Sequence, residues 1–150
     1  MELVTMREAH IGQIAALERL CFSDPWSERS FASELENPLS LWLVALDGET
    51  VAGYVGSQSV LDEADVMNVA VHPAYRRQRI ASALLAELER QLAQNGVATL
   101  ALEVRVSNSA AIALYTGRGY VQAGLRKNYY HHPKEDALIL KKSVGNLQNR

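Results

Sequence analysis

The chain has 150 residues, of which 48% are hydrophobic and 21% charged, with a net charge of −2. That length predicts one domain with an ordinary core, and the composition excludes a disordered chain, a collagen-like repeat and a coiled coil. No apolar run is long enough to span a membrane, Met1 to Glu8 lacks the features of a secretory signal, and the single cysteine, Cys21, excludes an internal disulfide.

In chain order, Leu3–Met6 reads as a first strand. Ile11, Ile14, Leu17 and Cys21 recur at helical spacing, so a helix spans Glu8 to Cys21. Cys21 is then expected as a small buried side chain on its apolar face. Ser23 to Ser27 forms a loop, and Ser27 caps a second helix over Glu28–Glu36, closed by Asn37-Pro38. Leu41–Leu46, the turn Asp47-Gly48 and Val51–Val60 predict a hairpin. Asp62-Glu63 turns the chain into a further strand, Val66–Val71, which His72-Pro73 ends. After the basic loop Tyr75 to Arg79, a helix spans Ile80–Gln94, with Ile80, Leu84, Leu85, Leu88 and Leu92 on one face and Asn95-Gly96 as its stop. Thr99–Val106 alternates apolar and polar side chains as a half-buried strand does. Ser107 or Asn108 caps a short helix through Tyr115, and Gly117 and Gly119 end it. Tyr120–Leu125 and Ala137–Leu140 are the last strands, joined by a connection through Lys127 to Pro133. A domain over 1–144 and a disordered tail over 145–150 complete the reading. The element order predicts an α/β chain of mixed α+β type, a mixed sheet with helices on both faces.

Charge divides unevenly. Residues 1–75 carry three basic and twelve acidic side chains, and residues 76–150 carry twelve basic and five acidic. A basic half fits an anionic ligand, and an acidic half a cationic one. No basic run is interleaved with aromatic residues, so nucleic acid is not expected as a partner. His131-His132 reads as a solvated loop rather than a metal site.

Chemistry concentrates where the strand ending in Val69-Ala70-Val71 runs through Arg76-Arg77-Gln78-Arg79 into the helix opening Ile80-Ala81-Ser82. Free backbone N–H groups and the positive end of a helix make such a junction an anion site. Arg76 to Ala81 resembles the acetyl-CoA signature of the GNAT N-acetyltransferases, R/Q-x-x-G-x-G/A. Arg76 and Ala81 match it, and Arg79 stands where that family has glycine. A positive φ there would strain an arginine by roughly 1 kcal/mol. The resemblance extends over Cys21 to Phe31, Leu102 to Asn108, Ala110 to Tyr115 and Arg126 to Tyr130, which are similar to the ribosomal-protein-alanine branch of the family.

The resemblance implies the GNAT acyl-CoA N-acyltransferase fold, a mostly antiparallel central sheet with acetyl-CoA lying in a splay between two strands. It implies acetyl-CoA as co-substrate, no metal, and acetyl transfer to the N-terminal alanine of small-subunit ribosomal protein eighteen. The chain would act in the cytoplasm, as a monomer or weak dimer, without membrane or nucleic acid. Glu103 and Tyr115 match the family's base and acid. Val69, Ala70, Val71, Arg76, Arg77, Gln78, Arg79, Ile80, Ala81, Ser82 and Asn108 would hold the cofactor. Trp26, Asn128, Tyr129 and Tyr130 lie where the family binds its peptide. Two other activities suit the same residues: acetylation of other N-termini, lysines or a small amine, and a non-catalytic acyl-CoA-binding module.

Two points follow from chemistry alone. An α-ammonium has a pKa near 8, so about a tenth is neutral at pH 7 and a base need remove only one proton. A phenol near 10 and a thiol near 8.5 are close enough for proton transfer, slightly uphill.

Overall fold

The computed structural model describes residues 1–145. Seven strands form one sheet in the order β1-β2-β3-β4-β5-β7-β6: β1 (Glu2–Thr5), β2 (Ser40–Asp47), β3 (Thr50–Val60), β4 (Glu63–Val71), β5 (Thr99–Arg105), β6 (Val121–His131) and β7 (Lys134–Ser143). The helices are α1 (Ile11–Cys21), α2 (Glu28–Leu35), α3 (Ile80–Gln94) and α4 (Ser109–Gly117). Only β4 and β5 pair in parallel, because α3 crosses between them; the other neighbours are antiparallel.

The helices cover both faces, as expected. Ile14 and Leu17 of α1 and Phe31 of α2 pack on Trp42, Val44 and Tyr54 on one face. Ile80, Leu84, Leu85 and Leu88 of α3 pack on Leu43, Val55, Leu100 and Leu102 on the other. Trp42 lies flat over Gly56, where a Cβ would fall 2.2 Å from the indole. Ser27 caps α2 through the Ser30 N–H, and Asn108 caps α4 through the Ala111 N–H. Among the described residues no helix is long and apolar enough to cross a membrane.

Three buried carboxylates are tied into this frame. Glu18 accepts from the Tyr54 hydroxyl, the Asn68 amide at 2.9 Å and the Trp26 N–H at 3.1 Å. Glu34 accepts from Ser40, Trp42 and Gln58. Glu89 accepts from Arg118, Tyr120 and Lys142. Each is saturated by donors, as a buried carboxylate must be.

The last two strands differ from expectation. Both are longer, and the expected connection Lys127 to Pro133 is mostly strand, with only His132-Pro133 left at the turn. β6 is the sheet edge and nearly all its residues are exposed, so it carries no apolar alternation to read. The tail expected over 145–150 lies, after Gly145, outside the described residues.

One irregularity shapes the centre. β4 and β5 pair only from Glu63–Thr99 to Asp65–Ala101. Just beyond, the β3–β4 register shifts, so that Met67 is an extra residue in β4. Such a bulge bends its strand, and β4 and β5 part.

Candidate active site

A cavity of about 640 Å³ opens where the strands separate. It passes through the sheet. Asn108 at the cap of α4 and Ala111 and Tyr115 within it line it on one side, and Trp26, Glu103, Tyr129 and Tyr130 on the other, with Val69 and Leu102 between.

Strand geometry decides which backbone groups face the gap. The His72 N–H donates to the Ala52 carbonyl at 2.8 Å. Antiparallel pairing alternates, so Ala70, two residues earlier, also turns its polar atoms toward β3. Val69 and Val71 therefore turn their N–H and C=O groups into the gap. Of the three strand residues expected at a cofactor, Ala70 is excluded as a donor, and its side chain packs in the core under α1.

Beyond Val71 a second cavity, about 440 Å³, is bounded by Arg76, Arg77, Arg79, Ala81 and Ser82. Among the described residues, none of the backbone N–H groups from Arg77 to Ser82 has an acceptor. Arg77 and Arg79 are both left-handed, with φ of 66° and 60°. Alternation of this kind turns successive N–H groups into one concavity that suits phosphate. The arginine at the family's glycine position does adopt the positive φ; the same conformation at Arg77 has no signal in the sequence. Arg76, Arg77, Gln78 and Arg79 are exposed, while the Ile80 side chain is in the core and leaves only its backbone to the site.

Glu103 stands on β5 opposite the buried face of Leu102 and Val104, and its side chain is 31% exposed. The Tyr129 hydroxyl donates to its Oε2 at 3.4 Å, and Arg126 Nε lies 3.8 Å from its Oε1. Tyr115 is 8% exposed, and its ring packs edge-on against Tyr120. Among the described residues the Tyr115 hydroxyl has no hydrogen-bond partner, and no fully buried side-chain polar atom lacks one. The hydroxyl therefore opens to the cavity. Burial, helped by Tyr130, pushes this phenol up to about 12. That is away from a thiol, and it widens the gap that the sequence reading left slight.

The other expected residues divide. The Asn108 Oδ1 is taken by the N-cap at 3.1 Å. Trp26 packs on Phe31 and Trp42 with one edge on the cavity. Tyr130 lies under the Arg105 guanidinium, 4.2 Å from ring centroid to carbon. Asn128 is exposed and not in the cavity wall. Cys21 is not a core side chain but half-buried on the cavity rim. Burial pushes its thiol up, and the neighbouring Arg76 opposes that.

Sequence reasoning missed two contributors. Glu18 ties α1 and the Trp26 loop to Asn68 on the β4 bulge; a polar Asn68 inside an apolar strand is the signal that could have found it. Arg105 donates to the carbonyls of His132 and Pro133 at 3.0 and 2.8 Å and to Glu135 at 3.2 Å. It fixes the β6–β7 turn beside the cavity, and Ser23 reaches the same His132 carbonyl from the opposite wall.

Comparison with known proteins agrees with this geometry. The model of the acetyltransferase (GNAT) family matches residues 11–120. The chain is 44% identical over 126 residues to the ribosomal protein bS18-alanine N-acetyltransferase of Escherichia coli, covering 83% of this chain and 84% of that one. It is 39% identical over 136 residues to a Bacillus subtilis protein described as a putative enzyme of the same kind, covering 90% of each. The crystal structure of the Escherichia coli enzyme superposes with a TM-score of 0.86 at 38% identity, over 95% of this chain and 93% of that one.

Proposed function

The chain belongs to the GNAT acetyltransferase family, and from that membership we propose that it transfers acetyl from acetyl-CoA to the N-terminal alanine of ribosomal protein bS18, in the cytoplasm. The observation that carries this reading is the continuity of the site. Free backbone donors run from the Arg77–Ser82 turn to Val71 and Val69 and end between Glu103 and Tyr115. That is the order in which a pyrophosphate, an extended thiol arm and a reacting carbonyl need them.

Acetyl-CoA supplies an activated thioester. The Arg77–Ser82 N–H groups and the guanidinium groups of Arg76, Arg77 and Arg79 receive its phosphates. Val69 or Val71 donates an N–H to the carbonyl oxygen and stabilises charge as it develops there. Glu103 takes one proton from the substrate ammonium, directly or through a water, and frees the attacking lone pair. Tyr115 donates a hydrogen bond to the departing sulfur. With its phenol at about 12, full transfer to a thiolate near 8.5 would be uphill by roughly 4 to 5 kcal/mol. Tyr115 therefore stabilises the sulfur as charge forms, and the leaving thiolate takes the second proton of the attacking amine, directly or through a water, as the C–S bond breaks and the amide forms.

Trp26, Tyr129 and Tyr130 form the entry for the peptide. Register places Asp65 and Glu63 on the same face of the sheet as Glu103, where they favour a basic peptide. The test is thiol release from acetyl-CoA in the presence of a basic peptide beginning with alanine, beside the same peptide with a blocked N-terminus. Release with the free peptide alone is expected. Equal release with the blocked peptide would point to a lysine, and none with either to another amine.

A further inference from the structure

β6 contains a break that the reaction does not at first require. Arg126 pairs with Ala137 and Tyr130 with Glu135, so Lys127, Asn128 and Tyr129 together stand opposite Asp136. Two residues are therefore extra. In an unbroken strand Tyr129 would point to the face opposite Arg126 and Tyr130. Asn128 prevents this. Its φ is 55°, and its N–H donates to Asp136 Oδ1 at 2.8 Å. With the alternation broken, Tyr129 turns onto the face of its neighbours. Its hydroxyl reaches Glu103 Oε2, its ring meets that of Tyr130 edge-on at 5.0 Å, and Arg126 lies over it while facing Glu103 Oε1. Each carboxylate oxygen then has its own partner. Asparagine tolerates the left-handed region better than other residues with a Cβ. Among the described residues its side-chain amide makes no hydrogen bond, so the residue type suits the backbone rather than a contact.

We propose that the Asp136-capped bulge at Asn128 is a positioning device, by which Asn128 and Asp136 hold Tyr129 and Arg126 on Glu103 without touching substrate themselves. It rests on the reading of Glu103 as the base and reassigns Asn128 from the peptide groove to the scaffold.

Asn128→Gly and Asn128→Val separate the two roles, since both remove the amide and only valine opposes a positive φ. Asn128→Val is expected to have a kcat roughly ten- to a hundredfold below that of Asn128→Gly, with calorimetric affinity for coenzyme A equal in the two. Asp136→Ala should fall in the same direction, and Asp136→Asn, which keeps an acceptor oxygen, should recover most of the loss. The second readout is a pH titration of isotope-labelled tyrosine by NMR without substrate. Burial and Glu103 hold the Tyr129 phenol above its ordinary range, and it should drop toward that range in Asn128→Val and Asp136→Ala. A kcat ratio near one between the two Asn128 variants, or an unmoved Tyr129 titration, overturns the proposal. The ratio is read on any amine that the wild-type chain acetylates. A failure of the ribosomal peptide would therefore appear in the wild type and leave this comparison standing.

Discussion

Glu103 and Arg79 each carry a charge in an uncommon setting, and each setting makes a separate prediction. Glu103 is partly open to solvent and held from both sides by Tyr129 and Arg126. Glu103→Gln preserves shape and removes basicity, so kcat should fall by roughly 10²- to 10⁴-fold while KM for acetyl-CoA stays near its original value. Steady-state kinetics at saturating peptide checks this, and equal kcat would remove Glu103 as the base. Arg79 is left-handed, which costs an arginine about 1 kcal/mol of backbone strain. Arg79→Gly should then hold or raise the unfolding midpoint, because relief of about 1 kcal/mol of strain equals or exceeds the roughly 0.4–1 kcal/mol of added chain freedom. Coenzyme A affinity should fall by roughly three- to tenfold, the loss of one charged partner for phosphate. Melting and calorimetric titration read the two effects separately; tighter binding would mean that the glycine lets the loop close further.

At the scale of elements, α4 and β6 bring the chemistry to the gap from opposite faces. α4 holds Tyr115 against Tyr120, and among the described residues its hydroxyl has no partner. Tyr115→Phe should leave stability within about 0.5 kcal/mol and lower kcat by roughly ten- to a hundredfold. Because the phenol is shifted upward to about 12, the protonated form persists through ordinary alkaline pH. A rate profile should show no loss attributable to Tyr115 ionisation below about pH 11, and a fall near pH 9 that disappears in Tyr115→Phe would contradict the assignment. Most elements were legible because their side chains alternate or recur: α3 is bounded as predicted, and Leu100, Leu102 and Val104 mark the buried face of β5. β6 was not, since an exposed edge with a bulge needs no apolar period. The parting of β4 and β5 came from the family resemblance, not from periodicity; Met67 looks like any strand residue until its register is seen. Glu103 and Tyr115 were likewise legible only through the resemblance, while the αL turn at Arg77 and the exclusion of Ala70 needed coordinates.

The whole molecule is held from both faces by carboxylates that composition alone assigns to the surface, and this makes its acid stability predictable. For Glu89, burial would raise the pKa, but hydrogen bonds from Arg118, Lys142 and Tyr120 outweigh it and hold the carboxyl below 4.5. For Glu34 under α2, bonds from Gln58, Trp42 and Ser40 outweigh burial in the same way. A group whose folded pKa is depressed binds its proton more readily when unfolded. Its contribution is complete above the unfolded value of 4.5 and is lost as pH falls through the folded value. Stability should therefore hold from neutral pH to about 5 and then fall. Glu89 joins α3 to Arg118 beyond α4 and to Lys142 of β7, so it fastens α3 to the helix carrying Tyr115. Glu89→Gln leaves both cations without a counter-charge. Each is partly exposed, 21% and 23%, and can turn to water, so the cost at pH 7 should be about 2–3 kcal/mol, below the full cost of a broken buried pair. The sign makes the test sharp. Wild type and variant should differ most at pH 7, and the difference should narrow as pH drops below 4.5, because protonation removes from the wild type what the substitution has already removed. Urea unfolding at neutral and acid pH measures it, and a difference that stays constant across that range would show that Glu89 does not act through its charge.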